Sequence, residues 1–122
     1  TEIMFGPPGR AYVYLIYGMY HCLNIVTEAE GEPSAVLIRG LALPYISLDG
    51  PGKICKHLGI TKAHQGINLS TDPDFYVTAG IEGSYEATPR IGIKKATDKL
   101  WRFCLKLKNP NENLGKIKYH AK

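Results

Sequence analysis

The stretch from Tyr14 to Asn24 reads YLIYGMYHCLN, setting Tyr14, Tyr17, Tyr20, Met19 and His21 around a single glycine, Gly18. A tyrosine carries a π-face that stacks on nucleobases, worth about 1–3 kcal/mol per base. Large apolar side chains at a hairpin tip can also be driven into a base stack as a wedge. Tyr17, Met19 and Tyr20 stand where such a tip would be, because Gly18 permits a tight reversal. Period-two spacing places Tyr12 and Tyr14 on one face of the preceding strand, where packing into a core is the alternative use for them.

Other residue types with chemical potential do not assemble into a known constellation. Gly52-Lys53 is followed by Ile54 rather than Ser or Thr, and Ser47 stands where a phosphate-binding loop needs its first glycine. Gly6-Pro7-Pro8-Gly9 is not preceded by a strand, so it fails as a dinucleotide fingerprint and reads as a turn. A glycine-rich entry to a helix still offers backbone N–H groups, with Lys53, to one phosphate. Cys22, Cys55 and Cys104 are odd in number and widely spaced, which argues against a disulfide framework or a zinc site and for a reducing compartment. His21, His57, His64 and His120 form no ligand-spaced pair and read as surface or internally satisfied residues. The carboxylates Glu28, Glu30, Glu32, Asp72 and Asp74 fall in turns, and no paired-carboxylate site or Ser/His/Asp triad is legible.

The elements that would position these residues are mainly strands. Ala11–Tyr17 is β-branched and aromatic, Met19–Val26 reads as its return strand, and Ala35–Arg39 as a third, giving an antiparallel meander. Lys53–Leu58 has the spacing of a short helix, with Ile54 and Leu58 on one face and Gly59 as terminator. Phe75–Val77, Pro89–Ile93 and Trp101–Leu105 are further strand candidates. There are no internal repeats and no dividing linker. With 122 residues, 44% of them hydrophobic and 21% charged, the composition is that of one soluble globular domain. No apolar run approaches the roughly 20 residues that cross a bilayer.

The net charge of +4 is uneven. Residues 94–122 hold nine Lys and Arg against Asp98 and Glu112, a balance of +7, which leaves −3 for residues 1–93. Such a basic segment suits a polyanion, because Lys and Arg displace counterions condensed on phosphates.

Taken in order, MFGPPGRAYVYLIYGMYHCLN (4–24), AVLIRGL (35–41), GPGKICKHLGI (50–60), PRIGI (89–93) and WRF (101–103) closely resemble the alkyladenine, or 3-methyladenine, DNA glycosylases of the mammalian type in their bacterial form. The resemblance runs from Met4 to about Pro110. It implies a mixed α/β domain with a curved antiparallel sheet, a protruding aromatic hairpin and a few short helices. Residues 1–110 would form part of that domain and 111–122 a basic tail. It implies hydrolysis of the N-glycosidic bond of alkylated or deaminated purines in duplex DNA after base flipping, by a cytoplasmic, nucleoid-associated monomer needing neither metal nor organic cofactor.

The resemblance assigns roles residue by residue. Tyr17 fills the gap left by the flipped nucleotide, and Met19 and Tyr20 flank it in the minor groove. Tyr14 walls the base pocket, and Asn24 crowds out the amino group of guanine. Arg39 and the Ile91 carbonyl hold the attacking water, and Gly52 and Lys53 meet phosphate. The family's catalytic glutamate belongs to a Glu-Ala-Tyr motif upstream of the block at Met4. Glu2 is too close to that block and no Ala-Tyr follows it, so the general base is expected to lie outside this sequence.

Overall fold

The computed structural model describes residues 2–80, 84–91, 94, 98–105 and 119–120. The basic tail expected at 111–122 lies outside them apart from Tyr119 and His120, as do Lys95, Lys106 and Lys108. The architecture is mixed α/β, with antiparallel strands and, among the described residues, one α-helix.

Strands β1 (Ala11–Ile16), β2 (Tyr20–Val26) and β3 (Ala35–Leu37) form the meander in the order β1-β2-β3. The register pairs Ala11 with Ile25, Val13 with Leu23, Tyr14 with Cys22 and Ile16 with Tyr20. Directly opposed residues share a face, so the sheet sorts its side chains by the period of two. Ala11, Val13 and Leu23 look into the core, where they join Cys55, Ile60, Leu69 and Phe75, all at most 2% exposed. Tyr12 and Tyr14 look the other way and are half-buried. Fully burying a Val, Leu or Phe side chain is worth about 1.5–3 kcal/mol, and the face covered by Cys55 of the following helix and by Phe75 gains this at Val13 and Leu23.

The free edge of β1 is occupied by side chain and loop. Ala11 N–H donates to the Ile67 carbonyl at 2.8 Å, Val13 N–H to Gln65 Oε1, and Lys62 Nζ to the Val13 carbonyl at 3.1 Å. That covers the stretch where an exposed edge would invite another strand.

Helix α1 (Pro51–Leu58) starts two residues earlier than its apolar spacing suggests, because Pro51 at its first position already has a helical φ. Gly59 ends it in the left-handed region (φ 70°, ψ 28°), its N–H bonding the Cys55 carbonyl. Ile54 and Cys55 are buried against the sheet. A 3-10 turn at Lys62–His64 follows, capped reciprocally: Ala63 N–H donates to Thr61 Oγ1 at 3.2 Å, and Thr61 N–H to His64 Nδ1 at 3.0 Å. His64, buried with its ring edge-on to Phe75, is thus an internally satisfied histidine.

Several strand expectations are corrected. The third strand stops at Leu37, leaving Arg39 outside it. A separate hairpin follows, β4 (Gly40–Ala42) with β5 (Ser47–Asp49), whose turn Leu43–Ile46 is closed by Leu43 N–H to the Ile46 carbonyl at 2.8 Å. Phe75 precedes β6 (Tyr76–Val77), which pairs with β9 (Tyr119–His120), and Trp101 precedes β8 (Arg102–Leu105). Pro89 and Arg90 lie outside any strand and Ile91 sits in a turn, while Gly92 and Ile93 fall outside the described residues. The partner of β8 is β7 (Tyr85–Thr88) instead. The physical reason is that Pro89 has no N–H for a ladder, so pairing ends before it. Asp72 also has a structural role: Oδ2 accepts from Asp74 N–H at 3.0 Å and Phe75 N–H at 2.8 Å, shaping the turn that delivers Phe75 to the core.

Candidate nucleic-acid interface and base pocket

The hairpin tip is built by backbone geometry. Met19 N–H bonds the Ile16 carbonyl at 3.1 Å across a turn whose central residues, Tyr17 and Gly18, have φ of +54° and +66°. Two successive positive φ values are the mark of the type I′ turns that match the twist of a hairpin. Gly18 takes this conformation freely. A tyrosine there costs about 1–2 kcal/mol. Tyr17 is nevertheless the more conspicuous side chain, 89% exposed, with Met19 68% and Tyr20 52% exposed beside it. A large apolar ring is held in water on a strained backbone.

Behind the tip lies a second group. Tyr14 and Asn24 come from adjacent strands on the same face, Asn24 being opposite Tyr12 in register. Asn24 is 6% exposed and donates Nδ2 to the Tyr12 carbonyl at 3.4 Å. The Asn24 side chain lies close enough to the Tyr14 phenol to favour its ionised form. The rings of Tyr12 and Tyr14 lie 5.4 Å apart, tilted by 42°. Burial raises the Tyr14 phenol above its ordinary value, with the Cys22 thiol adding to the rise, while the Asn24 side chain and the Arg39 charge oppose it. Tyr14 therefore stays a neutral phenol with a half-buried ring face. Arg39 is exposed, and its carbonyl accepts from Gly50 N–H at 2.8 Å, which ties the end of the meander to the start of α1.

The first turn of α1 meets the tip directly. A Cβ added at Gly52 would lie 3.2 Å from Tyr20 Cδ1 and 3.3 Å from Tyr20 Cβ. Gly52 thus lets the helix and the hairpin approach closely at Tyr20. Lys53 projects next to it and is exposed.

The structure accordingly brings together Tyr14, Asn24 and Arg39, and separately Tyr20 with Gly52 at the foot of the tip that carries Tyr17 and Met19. Ile91 is 61% exposed, and no hydrogen bond or ring contact among the described residues joins it to Tyr14, Asn24 or Arg39. Sequence reasoning passed over Cys22 as a neighbour of Tyr14, although the period of two and the hairpin register would have placed it there. Among the described residues, the charged or titratable groups acting on Tyr14 are Cys22, Tyr12 and Arg39, with no carboxylate. The arrangement can stack a flat cationic or neutral ring, exclude groups by the rigid Asn24, and wedge a duplex. It shows no group able to take a proton from water at neutral pH.

The sequence model of the methylpurine-DNA glycosylase family matches residues 1–109. The chain belongs to that family. Among similar proteins, one of Ehrlichia ruminantium (strain Welgevonden) is 54% identical over 113 residues, covering 86% of this chain and 60% of the relative. One of Sodalis glossinidius is 60% identical over 107 residues, covering 84% and 63%. A third, of Rickettsia conorii (strain ATCC VR-613 / Malish 7), is 56% identical over 107 residues, covering 84% and 58%. Each carries the name "Putative 3-methyladenine DNA glycosylase". The chain spans about 60% of the length of these relatives.

Proposed function

We propose that this chain carries the DNA-wedging and base-recognising part of a glycosylase that releases alkylated or deaminated purines from duplex DNA, the first step of base excision repair in a bacterial cytoplasm. The observation that carries the reading is Tyr17, a ring 89% exposed at positive φ, at the tip of a hairpin whose base holds the Tyr14–Asn24 pair. Unstacking a base costs a few kcal/mol, and an inserted side chain offsets part of that. The flipped purine stacks on Tyr14. A purine made cationic by alkylation gains from the electron-rich ring by the attraction that draws cations to aromatic faces. Asn24, rigid and buried, sets which exocyclic groups fit. Arg39 and the Ile91 carbonyl position water for attack at C1′; the glycosidic bond breaks, the free base leaves, and an abasic site remains. The water's proton passes to a carboxylate that family resemblance places upstream of Met4.

The absence of a carboxylate beside Tyr14 among the described residues favours a second reading, a DNA-binding protein that flips without cleaving. Single-turnover release of hypoxanthine from a duplex separates the two, comparing the 122-residue chain with a version extended upstream through a Glu-Ala-Tyr motif. Release by the extended version alone supports an enzyme whose base lies upstream. Release by neither, with duplex binding retained, supports the second reading. Release by the short chain means that one of its own residues is the base.

A further inference from the structure

Helix α1 turns two chemically opposite faces. Ile54 and Cys55 are buried, while Lys53, Lys56 and His57 are exposed. Their spacing of three and four residues puts these basic side chains on one side of the helix. Together with Leu48 of β5 they line an open cleft of about 460 Å³. Leu48 is 7% exposed and supplies an apolar floor. Such a floor suits the aliphatic stems of lysines whose ammonium groups stay in water.

Lys56 stands in the last turn, where the negative end of the helix dipole favours a cation, so only the first turn is mismatched. No acidic residue stands in the first turn, where the positive end of the helix dipole favours one, and Lys53 stands there instead. Gly50 at the N-cap contributes no side-chain bond. Among the described residues, no hydrogen bond or ion pair engages the side chains of Lys53, Lys56 or His57. Lys53 and Lys56, three residues apart, repel each other, and a polyanion would turn that repulsion into a gain.

Position selects the polyanion. The cleft begins one residue beyond Gly52, which packs on Tyr20 at the foot of the wedge. Lys53 and His57 are about 6 Å apart along the helix axis, at 1.5 Å per residue. One strand of DNA carries a charge about every 3.4 Å of axis, so that span covers about two phosphate intervals. We propose that the Lys53–Lys56–His57 face of α1 is a seat for successive phosphodiesters of the strand leading away from the wedge, with Lys56 and His57 extending the contact beyond Gly52 and Lys53. The proposal rests on the reading of this chain as a duplex-DNA protein. It makes α1 a clamp that holds the backbone while the hairpin pries the stack.

The test is fluorescence anisotropy over a range of KCl concentrations. It uses the 122-residue chain, a hypoxanthine-containing duplex and an undamaged duplex of the same length. Lys56→Gln is expected to lower the slope of log affinity against log salt by about 0.9, equally on both duplexes. Lys56→Arg keeps the slope, and Lys56→Glu lowers it further. All three melt at the temperature of the unchanged chain, because Lys56 is exposed. Inorganic phosphate at millimolar concentration leaves duplex binding unaffected beyond its ionic strength; specific competition by it would mean a free-phosphate site and overturn the proposal. If the unchanged chain binds with a salt slope that Lys56→Gln and Lys56→Glu both leave intact, α1 is not the seat while the DNA reading stands. If the unchanged chain binds neither duplex at low salt, the DNA reading fails and this one with it.

Discussion

Tyr17 concentrates the tension between stability and function in one residue. Its φ of +54° is one that glycine adopts without penalty. Tyr17→Gly is therefore expected to leave thermal stability unchanged or to raise it by up to about 1 kcal/mol, the relieved strain being partly offset by glycine's greater freedom when unfolded. On the proposed reading, the same substitution removes the wedge. In a duplex with 2-aminopurine beside the lesion, the fluorescence rise that reports unstacking should disappear. A stability loss with unstacking retained would show that Tyr17 is a folding residue. The thiols behind the pocket make a second residue-scale case. Burial, with Cys22 beside it, pushes the Cys55 thiol up to about 11 from an ordinary 9.0, and burial raises Cys22 as well. At pH 8 the native chain should thus protect both from iodoacetamide, mass spectrometry finding label on Cys104 first. A raised thiol keeps its proton when folded at a pH where the unfolded chain has lost it. The stability it supports is complete below pH 9 and is lost as pH rises through about 11. Urea midpoints should therefore fall between pH 9 and 11, and a Cys55→Ala chain, though less stable throughout, should fall less.

At the scale of elements, α1 is an eight-residue helix too short to stand alone, and it exists because the meander gives Ile54 and Cys55 a place to bury. Ile54→Ala should cost about 2–5 kcal/mol, and Gly59→Ala about 1–2 kcal/mol because its φ of 70° suits glycine. Equilibrium urea unfolding measures both. If the helix also clamps DNA, the two variants should weaken duplex binding in the order of their destabilisation as folding is lost. The hairpin tip and α1 meet at a close contact, since a methyl at Gly52 would press on Tyr20 at 3.2–3.3 Å and the side chain would have to give by a few tenths of an ångström.

Across the whole molecule, stability is unevenly distributed. The core residues come from β1, β2, α1 and the segment from Ile60 to Phe75. The β7–β8 hairpin contributes none of them, and on it Tyr85 and Phe103 are each 64% exposed, their rings edge-to-face at 5.8 Å. A two-stranded hairpin with an open apolar face is marginal by itself. Hydrogen exchange should thus find the slowest amides at Val13, Leu23 and Ile54, and amides of β7 and β8 exchanging orders of magnitude faster. Equal protection of the two regions would mean that the hairpin is held by contacts beyond those described.

The sequence by itself determined the meander, the hairpin tip at Gly18, the amphipathic helix and its glycine stop. These follow from local physics: β-branched runs, the period of two, the period of 3.6 and the freedom of glycine at positive φ. The same periodicities sorted Ala11 and Val13 from Tyr12 and Tyr14. Only tertiary structure decided which face would be core, because that depends on where α1 and Phe75 come to rest. It decided that Pro89–Ile91 lies outside the strands and Tyr85–Thr88 within one, since pairing partners far apart in the chain settle which short apolar run is a strand. It also decided that Arg39 comes near Tyr14, 25 positions away, and that Gly52 sits under Tyr20, 32 positions away. No local pattern encodes a distance of that kind.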